Sequence, residues 1–339
     1  MTPGTDDPSR FDDSPRAEDP SGFDSPPRAD DPSRFDDLWD YDDPASTEAR
    51  FREILPRLEA AKDASLALQL RTQIARTMSL RRRFDEAHAL LDDVAARLDG
   101  APPVVRVRYL LERGRTLNSA GRASDARPLF LDAFAIARTC GEDGFAVDAA
   151  HMVAIVETGD ASVRWNEMGL ALARTSKEPR ARRWRGSLLN NLAWTHHGRG
   201  ELERAHALFE EALEARREDG KPAEIDVARW CVARSLRSLG RVDEALAAQR
   251  LLLSDMDAAG RRRDGFVFEE IAECLLALGR ADEARPWCAK AWDVLSKLEW
   301  LVASEPARLE RLRRLGEEPK ADRAPRGRAG AEEIPGGAG

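Results

Sequence analysis

The stretch LLNNLAWTHHGRG (188–200) and its continuation ELERAHALFEEALEA (201–215) decide the fold. In both halves apolar residues recur three and four positions apart, which is the spacing of one face of an α-helix. Gly200 stands between the halves, where a left-handed glycine commonly ends a helix. The stretch therefore predicts a hairpin of two helices joined by a tight turn.

The same pattern recurs along the chain. The positions equivalent to Gly200 lie 38 to 41 residues apart and are Arg82, Gly121, Gly159, Gly200, Gly240 and Gly279. Five positions later stand Ala87, Ala126, Arg164, Ala205, Ala245 and Ala284, and nine positions later mostly bulky residues, among them Phe130, Met168 and Phe209. A single hairpin cannot cover its own apolar face, so neighbouring hairpins must stack. The pattern predicts an all-α solenoid.

The solenoid is expected to hold about six hairpins between capping helices. First helices should begin near residues 64, 103, 145, 181, 225 and 265, and second helices should span 83–98, 122–139, 160–174, 201–217, 241–258 and 280–297. A leading helix near 47–61 and a final helix at 305–315 should cap the stack. The helical repeat domain is thus placed at residues 46–316, between disordered tails at 1–45 and 317–339.

Residues 1–45 form an acidic, low-complexity segment. DDPSRFDD (6–13), EDPSGFDS (18–25) and DDPSRFDD (30–37) recur every 12 residues. This segment holds 14 Asp or Glu and 4 Arg, which gives it a net charge of −10 and leaves about +2 for the rest of the chain. Such a composition buries too little apolar surface to offset the entropy of ordering, so it predicts disorder.

Several classes of protein are disfavoured. The four cysteines, Cys140, Cys231, Cys274 and Cys288, have neither metal-ligand nor redox-motif spacing. The chain has no metalloprotease, dinucleotide-binding, P-loop or nucleophile-elbow motif, so no catalytic residue, cofactor or metal is expected. The absence of an apolar leader or of a run of 18 apolar residues favours a cytoplasmic protein without a membrane span. The near-neutral body disfavours nucleic-acid binding.

The repeating columns resemble the tetratricopeptide repeat, a two-helix unit that stacks into peptide-binding superhelices. The fourth repeat is the most similar, through Ala193, Gly200, Ala205, Phe209 and Ala212. The resemblance covers residues 64–297, and the long spacing is similar to that of kinesin light chains and of peptide-binding bacterial regulators. Residues 148–312 also resemble a largely uncharacterised group of bacterial tetratricopeptide proteins. The resemblance implies a right-handed solenoid whose first helices line a concave groove.

Candidate groove residues follow from the helical period of the first helices. They are Arg115 and Asn118 in repeat two, Asn190, Asn191, Trp194, His197, Trp230, Arg234 and Arg237 in repeats four and five, and Glu270 in repeat six. Asn is a poor residue inside a helix, so two in succession indicate a use. By the resemblance, Asn191 would hydrogen-bond the backbone of a bound peptide. Alternatively, the asparagines serve helix packing and the charged residues only solvate the face.

The favoured function is a non-enzymatic adaptor that binds a peptide or helix of a partner protein in the groove. A peptide-sensing signalling regulator and an RNA-associated repeat protein are the alternatives. The segment FDDLWDYDD (35–43) resembles the tryptophan-acidic peptides that kinesin light chains accept. The acidic tail is therefore a candidate ligand that docks in the groove of its own chain and gates it; the alternative is a tail that only increases solubility.

Overall fold

A computed structural model describes residues 32–41, 43–60, 64–261 and 264–317. A 3-10 helix at Pro32–Leu38 precedes the α-helices. These are α1 (Pro44–Ala60), α2 (Ala64–Leu80), α3 (Phe84–Ala95), α4 (Pro103–Ser119), α5 (Ala123–Cys140), α6 (Asp143–Val156), α7 (Gly159–Thr175), α8 (Pro179–Arg183), α9 (Arg185–Gly198), α10 (Leu202–Asp219), α11 (Pro222–Ser238), α12 (Val242–Ala258), α13 (Gly265–Ala277), α14 (Ala281–Leu295), α15 (Glu299–Ser304) and α16 (Pro306–Gly316). The predicted all-α fold of repeated helical hairpins is confirmed.

The turn inside a hairpin has a recurring geometry. After α4, Gly121 has a φ of +80°, and the amide of Arg122 donates to the carbonyl of Leu117 at 2.9 Å. The left-handed residue lets the chain reverse while it satisfies the last carbonyls of the first helix. Arg82, the only predicted turn position without glycine, also has a positive φ, of 60°. The same backbone geometry is therefore imposed even where the side chain disfavours it.

Repeat three does not follow this geometry. Its first helix, α6, ends at Val156 with Glu157 in an extended conformation, and Gly159 is the first residue of α7. The column built on Gly159 is consequently out of register with the real hairpin. It places Met168 in the core, whereas this side chain is 46% exposed, so that assignment is wrong.

The chain divides into two compact units, residues 1–241 and 242–339. In the first unit, the helices of a hairpin meet through small residues beside large ones. Ala126 and Phe130 of α5 are both fully buried. A Cβ atom added to Gly114 of α4 would clash with the ring of Phe130. In the second unit, the alanines Ala245 and Ala284 are likewise fully buried. Small and large residues interdigitate as the columns predicted.

Residues 32–41 depart from the predicted disordered tail. Phe35 is only 1% exposed and packs with its ring edge-on to Phe51 of α1, the centroids 6.2 Å apart. The start of α1 is fixed by Asp43, whose Oδ1 accepts a hydrogen bond from the amide of Ser46 at 3.0 Å. Composition alone could not show that these aromatic side chains have an apolar surface to cover. Residues 1–31 and 318–339 of the two predicted tails lie outside the described residues.

None of the helices within the described ranges is both long enough and apolar enough to cross a membrane.

Candidate binding face formed by the first helices

Polar side chains connect consecutive first helices in the first unit. The connected residues, which we call the polar row, are Gln73 of α2, Glu112 and Arg115 of α4, Asp148 and His151 of α6, Asn190, Asn191 and His197 of α9, and Cys231 and Ser238 of α11. Each helix contributes to contacts with its neighbour, so the first helices are held in register by hydrogen bonds as well as by apolar packing.

The first half of the polar row is a buried ionic network. Gln73 Nε2 donates to Glu112 Oε1 at 3.4 Å, and Arg115 donates to Glu112 at 2.6 Å and also to Asp148. The guanidinium of Arg76 lies 3.9 Å from the other oxygen of Glu112. Arg115 is only 6% exposed, so its two carboxylate partners are what make the buried charge tolerable.

His151 forms the centre of the row. Its Nδ1 lies 3.3 Å from Nδ2 of Asn191, and its ring packs 5.0 Å from that of Trp184. Burial lowers the pKa of His151 to about 4, against the raising effect of Asp148 and with the lowering effect of Arg115. The imidazole is therefore neutral near pH 7 and contributes hydrogen bonding rather than charge.

The second half of the polar row is less charged and lies beside aromatic side chains, since the ring of His197 packs 5.3 Å from that of Trp194. The thiol of Cys231 donates to Asn190 Oδ1 at 3.4 Å, and His197 Nε2 lies 2.8 Å from Ser238 Oγ. Trp194 packs edge-on to Phe209 at 4.9 Å and lies 6.2 Å from Trp230. Both tryptophans are only 8% exposed, so their main contacts are with each other and with the core.

The N-terminal segment lies on the first half of the same face. Asp36 accepts hydrogen bonds from both terminal nitrogens of Arg108 on α4, one of them at 2.9 Å. The indole nitrogen of Trp39 donates to Gln73 Oε1 at 3.1 Å. Trp39 also stacks on Tyr41, with centroids 4.6 Å apart. The segment that was expected to dock is thus present on α2 and α4 rather than on the tryptophan-bearing helices α9 and α11.

The second unit has its own acidic first helix, α13. Glu269 receives two hydrogen bonds of 2.7 Å from Arg308 of the final helix, α16. Burial raises the pKa of Glu269, although its hydrogen bonds to Arg308 oppose this. Glu270 is buried beside it. The final helix therefore covers part of this acidic surface.

The structure separates the sequence-derived site residues into two groups. Arg115, Trp194, Trp230 and Glu270 are buried, and the half-buried residues are Asn118, Asn190, Asn191, His197, Arg234 and Arg237. Arg234 contacts Ser238, one turn further along α11, at 2.9 Å. The half-buried residues are therefore partly exposed to solvent, whereas the buried ones are not.

Five members of the polar row are not among the candidates from the sequence: Gln73, Asp148, His151, Cys231 and Ser238. Gln73 stands nine residues before Arg82, as Glu112 does before Gly121, and that spacing was a usable signal. Asp148 and His151 do not share this spacing. They stand eight and five residues before the end of α6 at Val156, whereas Gln73 and Glu112 each stand seven residues before the end of their helix.

Comparison with known proteins identifies the repeat. Residues 185–218 match the family model of the tetratricopeptide repeat. No curated protein sequence matches the chain significantly. The match spans α9 and α10, the hairpin whose sequence most clearly predicted the fold.

Solved structures share the fold at low sequence identity. The apo form of RapI has a TM-score of 0.61 and 13% identity, over 76% of this chain and 73% of that one. The apo quorum sensor NprR from B. thuringiensis has a TM-score of 0.57 and 15% identity, over 83% of this chain and 80% of that one. NprR in complex with its cognate peptide NprX has a TM-score of 0.50 and 16% identity, over 86% of this chain and 85% of that one.

Proposed function

We propose that this chain, which matches the family model of the tetratricopeptide repeat at residues 185–218, is a non-enzymatic adaptor that binds an extended peptide of a protein partner along the face of the first helices beside the polar row. The observation that carries the proposal is the N-terminal segment, residues 35–41, which lies on α2 and α4 as a ligand would. Its side chains use two kinds of contact that suit peptide recognition: a bidentate ion pair from Asp36 and an indole hydrogen bond from Trp39.

The partner peptide is assigned to α9 and α11. Asn191 and Arg234 combine half-buried amide and guanidinium groups with the aromatic base formed by Trp194 and Trp230. Amides can hydrogen-bond a peptide backbone, and arginine and tryptophan are the residue types enriched at binding hot spots. The similarity of fold to NprR with its cognate peptide is consistent with this assignment.

An affinity capture with matched variants tests the assignment. The full-length chain is compared with Asn191→Ala plus Arg234→Ala, and with Arg164→Ala plus Met168→Ala on the exposed side of α7. We expect one protein to be recovered by the parent chain and by the α7 variant, and to be lost with the α9–α11 variant. Circular dichroism checks that both variants remain folded. Equal recovery by all three chains contradicts the assignment, and so do cross-links that map the partner to second helices.

The N-terminal segment is proposed to gate the same face. A partner peptide long enough to reach α2 and α4 must displace Phe35 and Trp39, which lowers its apparent affinity because the tethered segment has a high effective concentration. Replacing both aromatic residues by Ala should therefore strengthen partner binding, about tenfold for each 1.4 kcal/mol of docking free energy removed. Isothermal titration with the captured partner measures this. An unchanged dissociation constant would show that the segment does not gate, while leaving the assignment to α9 and α11 intact.

A further inference from the structure

The third copy of the tail repeat enters a defined place in the fold. Phe35 is buried against Phe51, and Asp36 pairs with Arg108. The guanidinium carbon of Arg108 lies 5.4 Å from the centre of the Phe35 ring and 5.0 Å from that of Phe145 on α6. Arg108 is therefore held between two aromatic rings while it binds a carboxylate. We call Phe51, Arg108 and Phe145 the Phe–Asp seat.

The Phe–Asp seat contacts a phenylalanine ring and a carboxylate, and this pair recurs in each copy of the tail repeat. Residues 6–13 have the same eight-residue sequence as residues 30–37, DDPSRFDD. The copy at 18–25 keeps the Phe–Asp pair but replaces the arginine before it with glycine and the final aspartate with serine. An aromatic ring next to a carboxylate is what Phe51 and Arg108 contact in the third copy. The first copy offers the same groups in the same order.

We infer that residues 6–13 are a second ligand for the Phe–Asp seat and exchange there with residues 30–37 of the same chain. The seat lies close to Pro44, because the eight residues from Asp36 to Pro44 span at most about 28 Å. Thirty residues, 14–43, separate the first copy from α1. Thirty residues can span up to about 100 Å when extended, so this stretch is long enough for the first copy to reach the seat.

The third copy binds the seat more strongly than the first, because it makes contacts that the first cannot. Trp39 donates to Gln73, and the amide of Asp40 donates to Thr47 Oγ1 at 3.0 Å. The residues that follow the first copy are Ser14 and Pro15, which supply no indole. The third copy is thus the main occupant. When the first copy replaces it, Arg108 keeps a carboxylate partner while Trp39 leaves Gln73, which uncovers the α2 end of the polar row.

Hydrogen exchange in full-length variants tests the inference. Phe23→Ala and Asp24→Ala are present in every chain, so that the second copy cannot contribute. On this parent, the third-copy variant adds Phe35→Ala and Asp36→Ala, the first-copy variant adds Phe11→Ala and Asp12→Ala, and the combined variant adds all four. The amides of α1 are the reporter, because this end helix carries Phe51 and its local opening depends on what covers the seat.

We expect the first-copy variant to exchange like the parent, and the third-copy variant to exchange within roughly threefold of it, since the first copy takes over. The combined variant should exchange roughly ten times faster than the third-copy variant, because neither ligand remains. Equal exchange in the third-copy and combined variants overturns the inference. The test involves only the chain's own segments, so its result does not depend on whether a partner uses α9 and α11.

Photo-cross-linking gives an independent readout. Benzoylphenylalanine at position 11 of the third-copy variant places a reactive aromatic ring where the first copy would present Phe11. Cross-links within the same chain to α1 or α4 are expected, and Asp12→Lys should reduce their yield at least roughly fivefold, because Lys is repelled by Arg108. Asp12 is not one of the three seat residues, so this substitution leaves the side chains of the seat unchanged. Cross-links that are insensitive to Asp12→Lys, or that join different chains, contradict the inference.

Discussion

Replacing Arg115 with Met tests whether the polar row holds α4 against α6. The side chain of Arg115 is 7% exposed and that of its partner Asp148 is 9% exposed. Removing one member of a buried ion pair leaves an uncompensated charge, which typically costs about 3–5 kcal/mol. Because Met fills a similar volume, little of the effect should come from a cavity. We therefore expect the free energy of local opening at α4 and α6 to fall by about that amount.

Residue-resolved hydrogen exchange measures this change. A loss of about 3–5 kcal/mol corresponds to a roughly 150- to 4,000-fold faster exchange of the amides in α4 and α6, since every 1.4 kcal/mol is tenfold. Adding Asp148→Asn should restore most of the protection, because it removes the charge left unpaired. No neutralising substitution is needed at Glu112, because the guanidinium of Arg76 still lies 3.9 Å from one of its oxygens.

A matched control separates burial from charge. Arg122 pairs with Asp125 at 2.7 Å on the surface, where the two side chains are 59% and 49% exposed. Arg122→Met should change the opening free energy by less than about 1 kcal/mol, because exposed pairs are screened by solvent. If Arg115→Met behaves like Arg122→Met, or if Asp148→Asn fails to rescue it, the polar row does not carry the stability assigned to it.

Three further predictions concern the repeat body. Gly114→Ala should destabilise the chain by about 1–3 kcal/mol, because its Cβ meets the buried ring of Phe130; urea unfolding measures this, and Phe130→Leu should relieve it. Arg82→Gly should raise the stability by up to about 1 kcal/mol, since Gly accepts the positive φ at this turn without strain; an unchanged or lower melting temperature would argue against strain there. The pKa of His151 is lowered to about 4 by burial, so the unfolded chain binds the proton first as the pH falls below 6.5. Stability should then decrease by about 2 kcal/mol between pH 7 and pH 5, and a slope that persists in His151→Gln would rule out this residue as its source.

The hairpins could be predicted from the sequence because their signals are local. Gly121 and Ala126 belong to one hairpin, and a single turn fixes their relative position. Where the turn has a different geometry, the predicted register is wrong. Gly159 resembles the other turn glycines in spacing, but it begins α7 instead of following α6. This error in register placed Arg164 in a core column, although it is exposed.

The contacts of the candidate site were less predictable because they join distant residues. Asp36 and Arg108 are 72 positions apart, and no periodicity in either segment indicates that they meet. The acidic composition around Phe35 predicts a segment that cannot form a core alone, but it does not show that α1 and α2 provide an apolar surface for Phe35. Trp194 and Trp230 were identified as groove residues, whereas the fold uses most of their surface for packing.

The polar row makes each first helix complementary to the particular helix that follows it, so the order of the repeats matters for stability. Each junction pairs a different set of groups: amide with carboxylate, guanidinium with carboxylate, imidazole with amide, and thiol with amide. If the third repeat were deleted by recombination, Arg115 would lose Asp148, one of its two carboxylate partners. Gain or loss of a whole unit, the usual way in which such arrays change length, is therefore constrained at these junctions by complementarity between neighbours.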